Sequence, residues 1–357
     1  MDAFIYDMKY VYEQSDKDLF KVVSLFAGVG GSSTGYRLAG GKVLAVNEFI
    51  EDAQNSYAKN YPDTHIFPQD VRELTGEMIL KQIGLKRGEL DILDGSPPCA
   101  SFSTAGKKEK MWGQVKKYSN TEQRVDDLFF EFSRLVREIQ PKVFVAENVK
   151  GLTQGASSKL LGSEQMDIFG SSLNIYDELV NCGYSVRYKV LNSLNYGVPQ
   201  RRERTIFIGV RNDINKKISF PMGINGRDFV TLEKAFVGIK NSTNDLEDAD
   251  ISKYKVYQHL LKMKVGSSFH NTRLLRKSSP VSHAFTLTAS ACTKGGRCEH
   301  HWENRKFTIS ELIRIMSFPD DYYLGKTYKE KVERLGRSVP PLMMKSIGEY
   351  IYNTILK

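Results

Sequence analysis

Long apolar runs are missing from these 357 residues. No stretch approaches the roughly 20 uncharged apolar positions that cross a bilayer as a helix, which argues against a helical membrane span. The opening residues, Met1 to Asp18, interleave Asp2, Asp7, Lys9, Glu13, Asp16, Lys17 and Asp18 with apolar ones. That pattern lacks the basic start and unbroken apolar core of a secretory leader. Cysteine is scarce as well: four in the chain do not make a disulfide framework. A soluble, cytoplasmic protein with reduced thiols is therefore expected. Cys292, Cys298, His300 and His301 crowd together, but five residues separate the cysteines and the histidines are adjacent. No common zinc site has that spacing, so the expectation is a polar loop and no metal. Acid is absent from one long segment: Ile251 to Cys298 carries nine Lys or Arg and no Asp or Glu, in a chain of net charge +9. Such a one-sign stretch is either a solvated basic face or a surface for phosphates, and charge alone does not choose between them.

What is present is an ordinary globular composition, 41% hydrophobic and 26% charged, in a chain long enough for one large domain and a smaller one. The first half alternates short apolar runs with amphipathic segments. Lys21 to Phe26, Lys42 to Val46, Leu90 to Asp94 and Val143 to Ala146 read as strands, with Tyr184 to Leu191 and Thr205 to Val210 after them. Leu128, Phe129, Phe132, Leu135, Val136 and Ile139 share one helical face that stops before Pro141. Strands alternating with helices predict an α/β fold, a doubly wound, mostly parallel sheet covered on both sides. From Asn212 to Asn304 the pattern loosens. It recovers at Thr308-Ile309-Ser310-Glu311, a capping-box signature, and at Pro340-Pro341, a helix start followed by the apolar stripe Met343, Ile347, Tyr350 and Ile351. The expected organisation is a discontinuous catalytic domain, 1–211 with 305–357, interrupted by an irregular basic domain, 212–304.

Four segments carry chemistry. Phe26-Ala27-Gly28-Val29-Gly30-Gly31 follows the first strand directly. Glycines there let a backbone pass beneath a nucleoside cofactor, although plain strand-to-helix turns also use them. Glu48, 20 residues after Gly28 and at the end of the next strand, suits ribose hydroxyls. Asp70 is either an acceptor for an adenine amino group or an ordinary surface carboxylate. Asp94-Gly95-Ser96-Pro97-Pro98-Cys99 comes next. A lone cysteine is most often a small buried hydrophobe, but ligands of such sheets bind beyond the strands' carboxyl ends. A thiol held there by two prolines is better placed as a nucleophile. Lys107, Lys108, Lys110, Lys116, Lys117 and Trp112 then lie in a glycine-punctuated stretch resembling a lid over a phosphate backbone. Glu147, in Ala146-Glu147-Asn148-Val149 at another strand end, is a candidate proton donor to a ring nitrogen. In Gln200-Arg201-Arg202-Glu203-Arg204, strand alternation puts Gln200, Arg202 and Arg204 on one side. That face suits a planar, hydrogen-bonding substrate, or it is a solvated edge.

Taken in this order, the segments closely resemble the cytosine-5 DNA methyltransferase family. The likeness covers nearly the whole chain: Phe26 to Gly31, Gly95 to Cys99, Glu147 to Val149, Gln200-x-Arg202-x-Arg204, Arg305 to Asp321, and Gly336 to Pro340. Within the insert, Thr286-Leu287-Thr288-Ala289 is similar to the family's target-recognition element. The resemblance implies S-adenosylmethionine as cofactor and double-stranded DNA as partner, in a monomeric enzyme of restriction-modification type. A separate endonuclease partner fits that type. It implies that Cys99 attacks C6 of a flipped cytosine, that Glu147 serves N3, and that Arg204 binds O2 with Arg202 and Gln200 holding the arrangement. It further implies that Phe26, Gly28, Gly30, Gly31, Glu48, Asp70, Val71, Pro98, Leu128, Ser338 and Val339 surround the cofactor, with S-adenosylhomocysteine as product. Ser101, Ser103, Thr286 and Thr288 would contact the DNA.

Three positions depart from the family's usual pattern: Ala100 where glutamine is common, Arg337 in place of a frequent asparagine, and Gln69 where a glycine often precedes Asp70. None removes a catalytic group. Two rivals share these features. The family's tRNA-methylating branch carries a Cys-Phe-Thr element that is absent here, and a catalytically silent DNA-binding regulator has no need of Cys99, Glu147, Arg202 and Arg204 together.

Overall fold

The computed structural model describes residues 5–97, 115–118, 121–124, 128–149, 175–224, 228–268, 275–289 and 299–357. Along the chain the strands are β1 (Lys21–Leu25), β2 (Lys42–Asn47), β3 (His65–Phe67), β4 (Ile92–Gly95), β5 (Val115–Tyr118), β6 (Thr121–Arg124), β7 (Val143–Val149), β8 (Tyr184–Asn192) and β9 (Glu203–Arg211). Seven of them form one sheet in the order β3-β2-β1-β4-β7-β9-β8, while β5 and β6 pair separately. The five strands from β3 to β7 run parallel, and β9 is antiparallel to both β7 and β8.

Alternation along each strand feeds two cores, one per face. Val22, Val145, Ile206 and Ile208 point into the first, and Val23, Leu93, Phe144 and Phe207 into the second. The chain winds outward from β1 to β2 and β3, then crosses back to place β4 on the other side of β1. That reversal opens a crevice beyond the carboxyl ends of β1 and β4.

The helices are α1 (Met8–Ser15), α2 (Gly31–Leu38), α3 (Glu51–Asn60), α4 (Gly76–Ile83), α5 (Leu128–Ile139), α6 (Ile175–Asn181), α7 (Leu232–Ala235), α8 (Thr243–Ala249), α9 (Lys255–Lys262), α10 (Ile309–Ile315), α11 (Tyr328–Arg337) and α12 (Pro341–Ile351). The expected stop of α5 is there: Gln140 turns left-handed, at φ 52, directly before Pro141. The capping box is there too, with Thr308 Oγ accepting from Glu311 N and Thr308 N donating to Glu311 Oε2 at 2.8 Å. Pro340 and Pro341 open α12, which buries Met343, Ile347 and Ile351. Helix α11 was not foreseen. Charged residues dominate it, and only Val332, Leu335 and Gly336 face the core.

Among the described residues between Asn212 and Asn304 the longest helix has eight residues, and β10 (Arg276–Lys277) pairs β11 (Glu299–His300) over two residues. Ile251, Val256, Leu260 and Leu275 form a small core of their own. Ile218, Leu232, Ala284 and Leu287 instead join the first core of the sheet, so this segment is anchored in the main body. No helix among the described residues is long and apolar enough to cross a membrane.

Candidate active site

A cavity of about 530 Å³ occupies the crevice, walled by residues from β1, β2, β4, β7 and β9, the glycine turn and the 330–339 segment. The turn reverses the chain straight after β1, with Phe26 and Gly28 both at φ 56. A Cβ on Gly28 would meet nothing within 4 Å, whereas one on Gly31 would lie 2.2 Å from Val339 O. The turn is thus open towards the cavity at Gly28 and closed against the C-terminal segment at Gly31. Ser338 and Val339 line the cavity, as expected of a segment returning to close it.

Glu48 is buried in the wall. Its Oε2 accepts from Gly28 N at 2.6 Å and its Oε1 from Ile50 N at 2.8 Å. Burial pushes its carboxyl up, and those backbone donors oppose the shift. Phe26 and Val71 also line the cavity.

Three of the residues expected around the cofactor are not among those that line the cavity. Gly30 packs under Tyr57 and Tyr322, where a Cβ would come within 2.9 Å of either ring system. Asp70 caps the turn at Val71–Glu73 and pairs with Arg72 at 2.9 Å. Leu128 is fully buried in the second core. None of the three is in the cavity wall.

Opposite the glycine turn, Glu147 Oε1 and Arg204 Nε form an ion pair at 2.7 Å inside the cavity. The parallel-to-antiparallel change between β7 and β9 makes this possible, because it sets Glu147 beside the opening residues of β9. The alternation expected from the sequence is met only in part: Gln200 and Arg202 are buried and Arg201 is exposed, but Glu203 and Arg204 are both half-buried, and β9 begins only at Glu203.

Gln200 and Arg202 do not present themselves to a ligand as freely as the pattern suggested. Gln200 Oε1 accepts from Leu287 N at 3.2 Å and sits outside the cavity wall. Arg202 donates to Leu287 O at 2.9 Å and Gly336 O at 3.0 Å. Burial and the neighbouring Arg204 pull the Arg202 guanidinium well below its usual range. These two side chains therefore clasp Leu287, at the centre of the Thr286–Ala289 stretch, onto β9 and α11. Thr286 Oγ1 donates to Arg201 O at 2.7 Å, and the backbone of Thr288 lies against Gly336.

Pro98, Cys99, Ser101 and Ser103 lie outside the described residues, as do Cys292 and Cys298. Ser96 and Pro97, immediately before them in the chain, line the cavity.

Some residues that sequence reading passed over also belong to the wall. Asp94, on β4, is 1% exposed, and accepts from Ser24 Oγ at 2.7 Å and Tyr36 OH at 3.1 Å. Burial raises its pKa to about 7, with the nearby Glu147 adding to the rise and the hydroxyls of Ser24, Tyr36 and Ser32 opposing it. Asn148 is buried in the wall, with no partner for Nδ2 among the described residues. The available signal was Asp94 and Ser24 next to the apolar pairs Ile92-Leu93 and Val22-Val23, positions where a purely structural buried strand carries an aliphatic residue.

Comparison with known proteins gives the chain's family and fold. The family model for C-5 cytosine-specific DNA methylases matches residues 20–353. The chain is 31% identical over 344 residues to the type II methyltransferase M1.HphI of Haemophilus parahaemolyticus, covering 92% of this chain and 86% of that protein. It is 28% identical over 363 residues to M.Eco47II of Escherichia coli, covering 95% and 80%. Among solved structures, a DNA modification methyltransferase encoded within an E. coli prophage superposes with a TM-score of 0.73 at 23% identity, over 95% of this chain and 100% of that one. DNMT2 of Spodoptera frugiperda superposes at 0.67 and 18% identity, over 95% and 100%. At these identities the superpositions speak for the fold.

Proposed function

The chain belongs to the C-5 cytosine-specific DNA methylase family, and from that premise we propose a type II enzyme that methylates C5 of one cytosine in a short duplex target, using Cys99 as nucleophile. The observation that carries the proposal is the cavity in which the Glu48–glycine turn faces the Glu147–Arg204 ion pair.

The cavity residues fit S-adenosylmethionine. Gly28 leaves open space, Glu48 offers a buried carboxylate at the end of β2, and Asn148 Nδ2 has no partner among the described residues. Phe26, Glu48, Val71 and Ser338 would hold the nucleoside part. When bound, the cofactor supplies an electrophilic methyl group.

The remaining steps belong to the chain and the DNA. C6 of cytosine is unreachable within a stack, so the base is swung into the cavity. The Cys99 thiolate adds to C6 while Glu147 presents its carboxyl to N3 and Arg204 its guanidinium to O2. Both withdraw electron density from the ring and favour the adduct. Once C5 carries the methyl group, its proton passes to water and the Cys99 thiolate leaves C6, which restores the aromatic base. Arg202 and Gln200 position Arg204 and the Thr286–Ala289 stretch. Residues 212–304 act as the target-recognition domain, and the basic run from Ile251 to Cys298 grips phosphates. The protein acts as a monomer in the cytoplasm, beside a separate restriction endonuclease.

The test offers S-adenosylmethionine carrying a tritiated methyl group with duplex DNA or with tRNA, to wild type and Cys99→Ala. Label in DNA from wild type alone is expected. Label in tRNA only, or in neither, contradicts the reading.

A further inference from the structure

Ser24 and Asp94 are register partners on β1 and β4, side by side where the winding of the sheet reverses. Both line the cavity and both are 1% exposed. The other acids of the wall have their charge engaged. Glu48 accepts from two backbone N–H groups, Glu147 pairs with Arg204, Glu333 with Arg337, and Glu330 caps α11. Asp52 stands in the exposed first turn of α3.

Asp94 alone of these acids is deeply buried in the cavity floor with hydroxyl partners and no cation among the described residues. Burying a carboxyl without a countercharge is costly. Three hydroxyls, from Ser24, Tyr36 and Ser32, orient it without neutralising it. A site of that design is completed by a ligand cation, whose approach would favour the ionised carboxylate. The cofactor of the proposed reaction carries two positive groups, an amino-acid ammonium and a sulfonium. A compact ammonium is a hydrogen-bond donor, which matches a carboxylate whose three hydroxyl partners leave it acceptor capacity. A sulfonium donates none.

We propose that Asp94, held by Ser24 and Tyr36, is the binding residue for the ammonium of the cofactor's amino-acid end. The assignment rests on the methyltransferase reading above and deepens it.

Titration calorimetry with three ligands separates the contributions. S-adenosylmethionine has both cations, S-adenosylhomocysteine has only the ammonium, and methylthioadenosine has neither. Asp94→Asn keeps the size of the side chain and removes its charge. The expected result is an affinity loss of about tenfold or more for the first two, about 1.4 kcal/mol, and no change for methylthioadenosine, which also reports that the variant is folded. Ser24→Ala, which leaves the charge in place, should weaken the same two ligands several-fold and spare the third. Loss for S-adenosylmethionine alone would assign Asp94 to the sulfonium and overturn the proposal. Equal loss for all three ligands in both variants, or none, overturns it as well. A wild type that binds none of the three overturns the methyltransferase reading and the proposal with it, which distinguishes that failure from an unchanged Asp94→Asn.

Discussion

The ion pair between Glu147 and Arg204 joins two strands that run in opposite directions, and each partner holds the other in place within the cavity. Replacing Glu147 by Gln keeps the shape and removes the acid. Steady-state methylation should then show kcat lower by a factor on the order of 10² to 10⁴ with cofactor affinity nearly unchanged. An unaltered kcat would remove Glu147 from the chemistry. Asp94 makes a different prediction, about stability and pH. Its folded pKa, about 7, lies above the ordinary value of 3.8 because of burial, with Glu147 reinforcing the rise and the surrounding hydroxyls opposing it. The stability conferred by keeping it protonated is therefore complete below about pH 4 and is lost as pH rises through 7. Asp94→Asn abolishes that loss. Urea unfolding at pH 5 and pH 8 should show the variant gaining on wild type by on the order of 1 kcal/mol or more at the higher pH; parallel profiles would contradict it. Residue roles were only partly legible in the sequence. Glu147 and Arg204 stand in recognisable strings at strand ends, whereas Asp94 was read only as the start of the string leading to Cys99, since nothing local tells that three hydroxyls converge on it.

At two of the places where elements meet beside the cavity, only glycine fits. Val339 O passes over Gly31, and the backbone at Thr288 and Ala289 passes over Gly336. Both contacts tie distant segments to the cavity, the first from the C-terminal end and the second from the insert. Gly336→Ala would push a methyl group to 2.4 Å from backbone atoms, so the Thr286–Ala289 stretch must shift. Thermal unfolding should register a destabilisation of about 1–3 kcal/mol, and DNA methylation should fall more than cofactor binding. Equal loss of both would make Gly336 a general packing residue. Local signals announced several elements correctly. The capping box at Thr308 and the prolines before α12 are short-range chemistry, and the apolar face of α5 is a strong period. Helix α11 escaped because its two buried aliphatics, Val332 and Leu335, sit among charges, and its burial depends on contacts far along the chain. Glycine spacing likewise predicted cofactor contacts for Gly30, whose actual neighbours are two tyrosines from α3 and the 318–324 turn.

At the scale of the molecule, the alternation of strands and helices was enough to anticipate a mostly parallel, two-faced sheet, because that pattern has few packings available. The antiparallel placement of β9 between β7 and β8 was not, since strand direction depends on connections rather than on composition. The basic run from Ile251 to Cys298 leads to a further expectation. If it grips the DNA backbone, affinity should fall steeply as salt rises, in proportion to the phosphates neutralised. Binding measured from 50 to 200 mM salt should lose on the order of 10³-fold or more; a flat response would move the DNA surface elsewhere.

The central claim is covalent attack by Cys99, and fluorine at C5 isolates that step. Proton loss from C5 frees the enzyme, and fluorine cannot leave in the same way, so methylation of 5-fluorocytosine should stop at the adduct. Incubating the protein and S-adenosylmethionine with duplex DNA in which every cytosine is 5-fluorocytosine requires no knowledge of the target sequence. A complex stable to denaturation should form, its crosslinked peptide should contain Cys99, and Cys99→Ala should form none. No covalent complex, or one joined through another residue, would contradict the account.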